Sequence, residues 1–315
     1  MNNRKSFITG IKSTKLHKNE IIFLKKYKPW GIILFSRNLQ SIKQIKKLTS
    51  NIKKIFNDKK YPIIIDQEGG RVNRLNKLIS LDDLTSEYFG KIFIKDKKEF
   101  NIIYKLFIDK ICYLLKNLGI NINTVPVLDL RYKGSSNIIG DRSFSKNPKI
   151  VSEIGDLCIK YFRNNSIGTV IKHVPGHGLA KTDSHNFTPI INKSFNYLKR
   201  RDFKVFKKKS SMFAMTAHVI FKKIDPNNTV THSKKLINII RNQIKFKNLI
   251  ISDDLSMKSL KYSIRENTKR AFSAGCNIVL HCNGNLKEMT LVAKNSPKVN
   301  SFVSKKTSEF YKNLS

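Results

Sequence analysis

The sequence is poor in several things, and each scarcity excludes a class of protein. Only 22 of its 315 residues are Asp or Glu, against 61 Lys or Arg, so the chain carries a formal charge of +39 at pH 7. Cysteine occurs four times (Cys112, Cys158, Cys276, Cys282), far apart and mostly inside apolar stretches. With no CxxC spacing these read as reduced, buried thiols, which suits a cytoplasm. No apolar run approaches the roughly 18 residues needed to cross a bilayer, so no membrane insertion is expected. The start, Met1-Asn2-Asn3-Arg4-Lys5, leads into an apolar stretch cut by Lys12, Lys15 and Lys18, which is not a secretory signal pattern. No repeat, low-complexity linker or charge block divides residues 1–315, which read as one domain.

The shortage of acid raises the question of nucleic acid. A nucleic-acid binder concentrates Lys and Arg on one stripe or arm. Here the basic residues run from end to end, and no basic run exceeds three residues (Lys199-Arg200-Arg201, Lys207-Lys208-Lys209). They alternate with Ile, Asn, Phe and Tyr on solvent-facing positions. A basic nucleic-acid-binding protein on the same scaffold is therefore the remote alternative, and no specific nucleic-acid partner is expected.

What is present is an alternation of short apolar runs with helical patterns. The runs are Ser6–Ile11, Gly31–Phe35, Tyr61–Ile65, Asn121–Leu128, Gly168–Ile171, Met212–Ala217, Leu249–Ile251 and Asn277–Leu280. Ile42, Ile45, Leu48, Ile52 and Ile55 recur at helical spacing behind Ser41, a plausible N-cap. Phe100–Leu118 is a helix closed by Gly119. Leu236–Ile244 and Ile264–Ala274 are further helices, the latter ended by Gly275. Eight near-continuously apolar runs, most followed by a helix, predict an α/β fold of the closed (β/α)8 TIM-barrel type. The runner-up, a doubly wound sheet, lacks a glycine-rich phosphate fingerprint behind its first strand.

Polar residues stand at the ends of six runs: Asp66, Asp129, Lys172-His173, His218, Asp253-Asp254 and His281. Singly, each would be a turn former or a cap. Together they mark the mouth of a barrel, where strand C-termini converge on the active site. The densest chemistry lies in Lys172–His185, which holds three of the seven histidines. There Pro175, Gly176 and Gly178 break regular structure. A retaining glycosidase needs a carboxylate nucleophile and a separate acid/base. Asp253, at a strand end, suits the first task. Asp183 and His185, two apart, suit a dyad in which the carboxylate orients the imidazole. The same atoms permit another reading, with His173, His177, Asp183 and His185 gathering a divalent metal.

Four blocks in order carry a resemblance: Asp66-Gln67-Glu68-Gly69-Gly70-Arg71-Val72-Asn73-Arg74, Ile139-Gly140-Asp141-Arg142-Ser143-Phe144, Lys172–His185, and Ser252-Asp253-Asp254-Leu255-Ser256-Met257. The chain resembles the single-domain bacterial β-N-acetylglucosaminidases of glycoside hydrolase family 3 from about Gly31 to Asn283. Val174 stands where that family commonly has phenylalanine. The resemblance implies a metal-free, cofactor-free exo-β-N-acetylglucosaminidase that releases terminal β-linked GlcNAc with retention. Asp253 would be the nucleophile, His185 the acid/base and Asp183 its partner. Asp66, Arg74, Arg142, Lys172 and His173 would bind the sugar, while Glu68, His177 and His281 are left as supporting residues. The implied setting is a cytoplasmic monomer acting on GlcNAc-1,6-anhydro-MurNAc peptides from peptidoglycan. A histidine acid/base does not repel an incoming anion, so a phosphorylase using phosphate as acceptor is the minor alternative.

Overall fold

Isoleucine and valine, stiff at χ1 and suited to a pleated surface, recur in most of the strands, and the two strand faces separate two layers. In the run Ile63-Ile64-Ile65, Ile64 joins the cluster inside the barrel, whereas Ile63 and Ile65 join the cluster between barrel and helices. Ile33 points inward in the same way, between the outward Ile32 and Leu34. This period of two, with both faces buried, is why the runs read as continuously apolar.

The computed structural model describes residues 3–184 and 187–314. Its strands are β1 (Lys5–Thr9), β2 (Pro29–Leu34), β3 (Ile63–Ile65), β4 (Ile122–Asn123), β5 (Gly168–Val174), β6 (Ile190–Ile191), β7 (Phe213–Thr216), β8 (Ile220–Phe221), β9 (Leu249–Asp254) and β10 (Ile278–His281). All but β6 and β8 close into a parallel barrel in the order β1-β2-β3-β4-β5-β7-β9-β10, and β10 pairs back onto β1. β6 and β8 form a small parallel pair of their own. The helices are α1 (Lys18–Tyr27), α2 (Ile42–Ile55), α3 (Ser86–Lys95), α4 (Lys97–Asn117), α5 (Pro148–Asn164), α6 (Phe195–Arg200), α7 (Asp202–Val205), α8 (Lys234–Asn242), α9 (Ile264–Ala274), α10 (Leu286–Asn295) and α11 (Ser301–Lys312). The expected (β/α)8 architecture is the one observed. No helix among the described residues is long and apolar enough to cross a membrane.

Local chemistry sets the boundaries. Ser41 accepts the Gln44 N–H at 3.3 Å and caps α2. Gly275, at φ +112°, ends α9 in the left-handed conformation open to glycine. Asn121–Leu128 contributes only the two-residue β4, because Pro126 has no N–H to give the ladder. Val127 nevertheless bridges back to Lys172, so this segment still reaches the barrel mouth. β5 and β9 run further than the apolar pattern alone suggests, so Lys172, His173, Asp253 and Asp254 lie on the strands themselves.

The two ends of the barrel differ. At one end α11 closes it: Trp30 donates to Thr307 at 2.9 Å, and Phe310 packs edge-on against Phe213. At the C-terminal ends of the strands, Ile33, Met215 and Leu280 instead line part of an open cavity.

Candidate active site

The cavity, about 210 Å³, is lined by Asp66, Arg74, Arg142, Lys172, His173 and Asp253. The fold therefore brings six of the eight residues singled out in the sequence into one site. β3, which delivers Asp66, and β9, which delivers Asp253, are four strands apart in the ring of eight and so face each other across the mouth. Of the other two residues, Asp183 is half-buried, and its carbonyl accepts the Phe187 N–H at 2.9 Å. Its neighbour Ser184 lines the cavity. His185 lies outside the described residues.

A charged network builds one wall. Asp66 accepts from Arg74 Nη2 at 2.7 Å through Oδ2, and from Thr124 at 2.6 Å and Lys172 through Oδ1. Glu68 accepts two parallel bonds from Arg142, Nε to Oε2 and Nη2 to Oε1, both 2.8 Å, and its Oε1 lies 2.6 Å from Lys172 Nζ. Burial pushes the Asp66 carboxyl up, but Lys172, Arg74 and Arg142 outweigh it and hold it well below the usual carboxylate range. Glu68 is held down by Arg142 and Lys172 against the same burial penalty. Arg74 Nε is buried without a hydrogen-bond partner among the described residues, so this cavity-lining guanidinium retains donor capacity.

The second wall carries the adjacent aspartates. Asp254 is consumed by its own turn: its carboxylate accepts from Ser256 N at 3.1 Å, Ser256 Oγ at 2.7 Å and Cys282 N at 3.1 Å. Asp253 accepts the Asp254 N–H at 2.8 Å. Burial pushes the Asp253 carboxyl up, but His218, His173, that N–H and Lys172 bring it below its ordinary value, so it is an anion at neutral pH.

Behind these lie residues that orient them. Asp129, fully buried, accepts from His173 Nδ1 at 2.7 Å and from the His177 backbone N–H at 2.6 Å. Burial opposes its ionisation, but His173 and His177 keep its carboxyl below the usual range. An ionised carboxylate only accepts, so His173 carries its proton on Nδ1. His218 bridges Thr231 at 2.7 Å and the Asp254 carbonyl at 3.0 Å, and burial holds its pKa down. Burial and the neighbouring His173 hold His177 at about 4, so its ring is neutral. His281 pairs with Glu288 of α10 at 2.9 Å.

The strand-end residues thus have different fates. Asp66, Lys172, His173, Asp253 and Asp254 line the cavity, Asp129 and His218 brace it, and His281 holds a helix. Thr124 and Glu68 are more central than the sequence suggests. Thr124 follows the short β4, and Glu68 follows Asp66 by two residues in the Asp66–Arg74 block. As for the metal reading, His173 Nδ1 and His177 Nε2 are engaged by Asp129 and, at 3.1 Å, by Ser184. Among the described residues no group of three His, Cys, Asp or Glu could hold a metal ion.

Comparison with known proteins agrees with the barrel fold. The profile of the glycosyl hydrolase family 3 N-terminal domain matches residues 8–306. A β-hexosaminidase of Nitrosomonas eutropha is 33% identical over 281 residues, which cover 87% of this chain and 79% of that protein. A β-hexosaminidase of Neisseria meningitidis serogroup C is 34% identical over 263 residues, covering 80% and 71%. The crystal structure of NagZ from Neisseria gonorrhoeae in complex with N-trifluoroacetyl-D-glucosamine superposes with a TM-score of 0.88 at 29% identity, covering 98% of this chain and 90% of that one. The chain belongs to glycosyl hydrolase family 3.

Proposed function

We propose that this glycoside hydrolase is a retaining exo-β-N-acetylglucosaminidase that removes terminal β-linked GlcNAc from cell-wall fragments, GlcNAc-1,6-anhydro-MurNAc peptides above all, as a cytoplasmic monomer. The observation that carries the reading is the half-buried, anionic Asp253 facing Asp66, Arg74 and Arg142 across one small cavity. A carboxylate and guanidinium donors suit sugar hydroxyls and an N-acetyl carbonyl. The volume, below the roughly 300–1,000 Å³ of most small-molecule sites, suits one sugar ring with the aglycone outside. The β-hexosaminidase relatives and the glucosamine derivative bound to the Neisseria NagZ support the same sugar class.

In this reading Asp253 attacks the anomeric carbon as the glycosidic C–O bond breaks. The leaving oxygen takes a proton from His185, whose ring Asp183 orients. Water then attacks the glycosyl–Asp253 ester at the same carbon, giving its proton back to His185 and freeing the carboxylate. His177, neutral and buried, is a poor candidate for that proton transfer. Asp253→Ala should abolish turnover of an aryl GlcNAc glycoside, and near-normal activity would sink the assignment. Asp183 and His185 variants should lose most with poor leaving groups, and a uniform loss would speak against the dyad. Product analysis on GlcNAc-anhydro-muropeptide with and without phosphate separates free GlcNAc, the expected product, from GlcNAc-1-phosphate.

A further inference from the structure

We infer that Glu68 is a positioning residue for sugar binding, the anion that aims Arg142 into the cavity and anchors Lys172 beside it. Its side chain is only 3% exposed, yet it meets two cations from distant parts of the chain. Arg142 comes from the segment between β4 and α5, and Lys172 from β5. Asp66 cannot replace it. One Asp66 oxygen is taken by Arg74, the other by Lys172 and Thr124. Glu68 is the only carboxylate in salt-bridge contact with Arg142 among the described residues.

The donor count separates the roles of the two cations. Lys172 has three N–H donors, and it has three neighbours at its ammonium: Asp66, Thr124 at 2.9 Å, and Glu68. It is a strut between the two carboxylates. Arg142 has five N–H donors and spends Nε and one on Nη2 upon Glu68 and one on Nη1 upon the Ile138 carbonyl. Two donors remain for a ligand in the cavity that Arg142 lines. Bidentate contact with Glu68 fixes the plane of that guanidinium, and hence the direction of the remaining donors. Without the Glu68 charge, Asp66 would be the remaining carboxylate in direct contact with this cluster of Arg74, Arg142 and Lys172, and the Arg142 fork would turn to other acceptors.

The inference rests on the sugar-hydrolysing reading, and the two can fail separately. GlcNAc release by the wild type decides the activity, and the ratio of variant to wild type decides Glu68. Glu68→Gln keeps the shape and removes the charge. We expect thermal stability close to wild type and a fall in kcat/KM of about tenfold or more, as when charge-assisted hydrogen bonds are lost, carried mainly by KM. Formate added to Glu68→Ala should lower its KM by restoring an anion between the two cations. A KM for Glu68→Gln within about twofold of wild type overturns the inference. So does a loss shared equally by kcat and melting temperature that formate leaves unchanged, because that pattern belongs to a residue that only maintains the fold.

Discussion

Gly90 sits in the middle of α3, where alanine would ordinarily be the better residue by about 0.5–1 kcal/mol. The surroundings reverse the sign. A Cβ built on Gly90 would lie 1.8 Å from the Phe144 carbonyl oxygen and 2.7 Å from its carbon, where real contacts do not fall below 3.0 Å. The obstacle is backbone and cannot rotate aside, so α3 or the segment through Phe144 must move by about an ångström or more. Overpacking of this kind costs about 1–3 kcal/mol, which set against the helix gain of about 0.5–1 kcal/mol leaves a net loss of up to about 2.5 kcal/mol. The shift is roughly 2–4 °C per kcal/mol for a domain of 150–250 residues and smaller for 315, so Gly90→Ala should melt up to a few degrees below wild type. The displaced segment begins two residues after Arg142, and Ser143 ties it to the Asp129 carbonyl at 2.7 Å. KM for an aryl GlcNAc glycoside should therefore rise more than kcat falls. Calorimetry and steady-state kinetics on the same preparation test both parts. An unchanged or higher melting temperature with wild-type KM would refute the packing argument and the link from α3 to Arg142.

Three further outcomes follow from other parts of the structure. Burial pushes the Asp202 carboxyl up to about 6, so the folded state favours its protonated form and loses stability as pH rises from about 4 to 6. Asp202→Asn, which can still accept from Tyr132, should match wild type near pH 4 and exceed it at pH 7 by up to about 3 kcal/mol; a difference in melting temperature that does not grow with pH contradicts this. Gly178→Ala would set a Cβ 2.0 Å from the Leu130 carbonyl oxygen, so it should disturb the His177–Ser184 contact and cut activity more than stability, read as kcat/KM beside the melting temperature. Thr307→Val at the closed end leaves the Trp30 N–H without its 2.9 Å partner and should cost about 1–3 kcal/mol with KM unchanged.

The strands were legible because burial on both faces forces near-continuous apolar residues, and composition alone detects that. Ile63-Ile64-Ile65 needs no partner to be recognised. The segment 121–128 misled because apolar content persists through Val125, Val127 and Leu128 while Pro126 removes a ladder donor, and hydropathy does not register hydrogen bonds. Site residues at strand ends were equally legible, since Asp66, Lys172, His173 and Asp253 each follow an apolar run. Glu68 was not. It stands three residues past a strand, and its meaning depends on Arg142, 74 residues away in sequence. A contact of that separation leaves no local pattern.

The same limit explains why residues at equivalent strand ends do different work. A barrel strand delivers its last side chain to the mouth, but neighbouring loops decide whether it meets ligand or protein. Asp129 is reached by the backbone N–H groups of His173 on β5 and of His177 in the turn after it, and by the His173 ring, so its negative charge is spent inside the protein. Asp254 is likewise spent on Ser256 and Cys282, which leaves its neighbour Asp253 as the cavity's available anion. For His218, Thr231 and the Asp254 carbonyl take both ring nitrogens, converting a titratable group into a clamp on the strand that carries Asp253. A nucleophile must be charged without being hydrogen-bonded into inertness. Of the strand-end carboxylates here, Asp66, Asp129 and Asp254 each accept at least three contacts, and Asp253 accepts one hydrogen bond from the described residues. That difference in occupancy, rather than position along the strand, favours Asp253 for the proposed role of nucleophile.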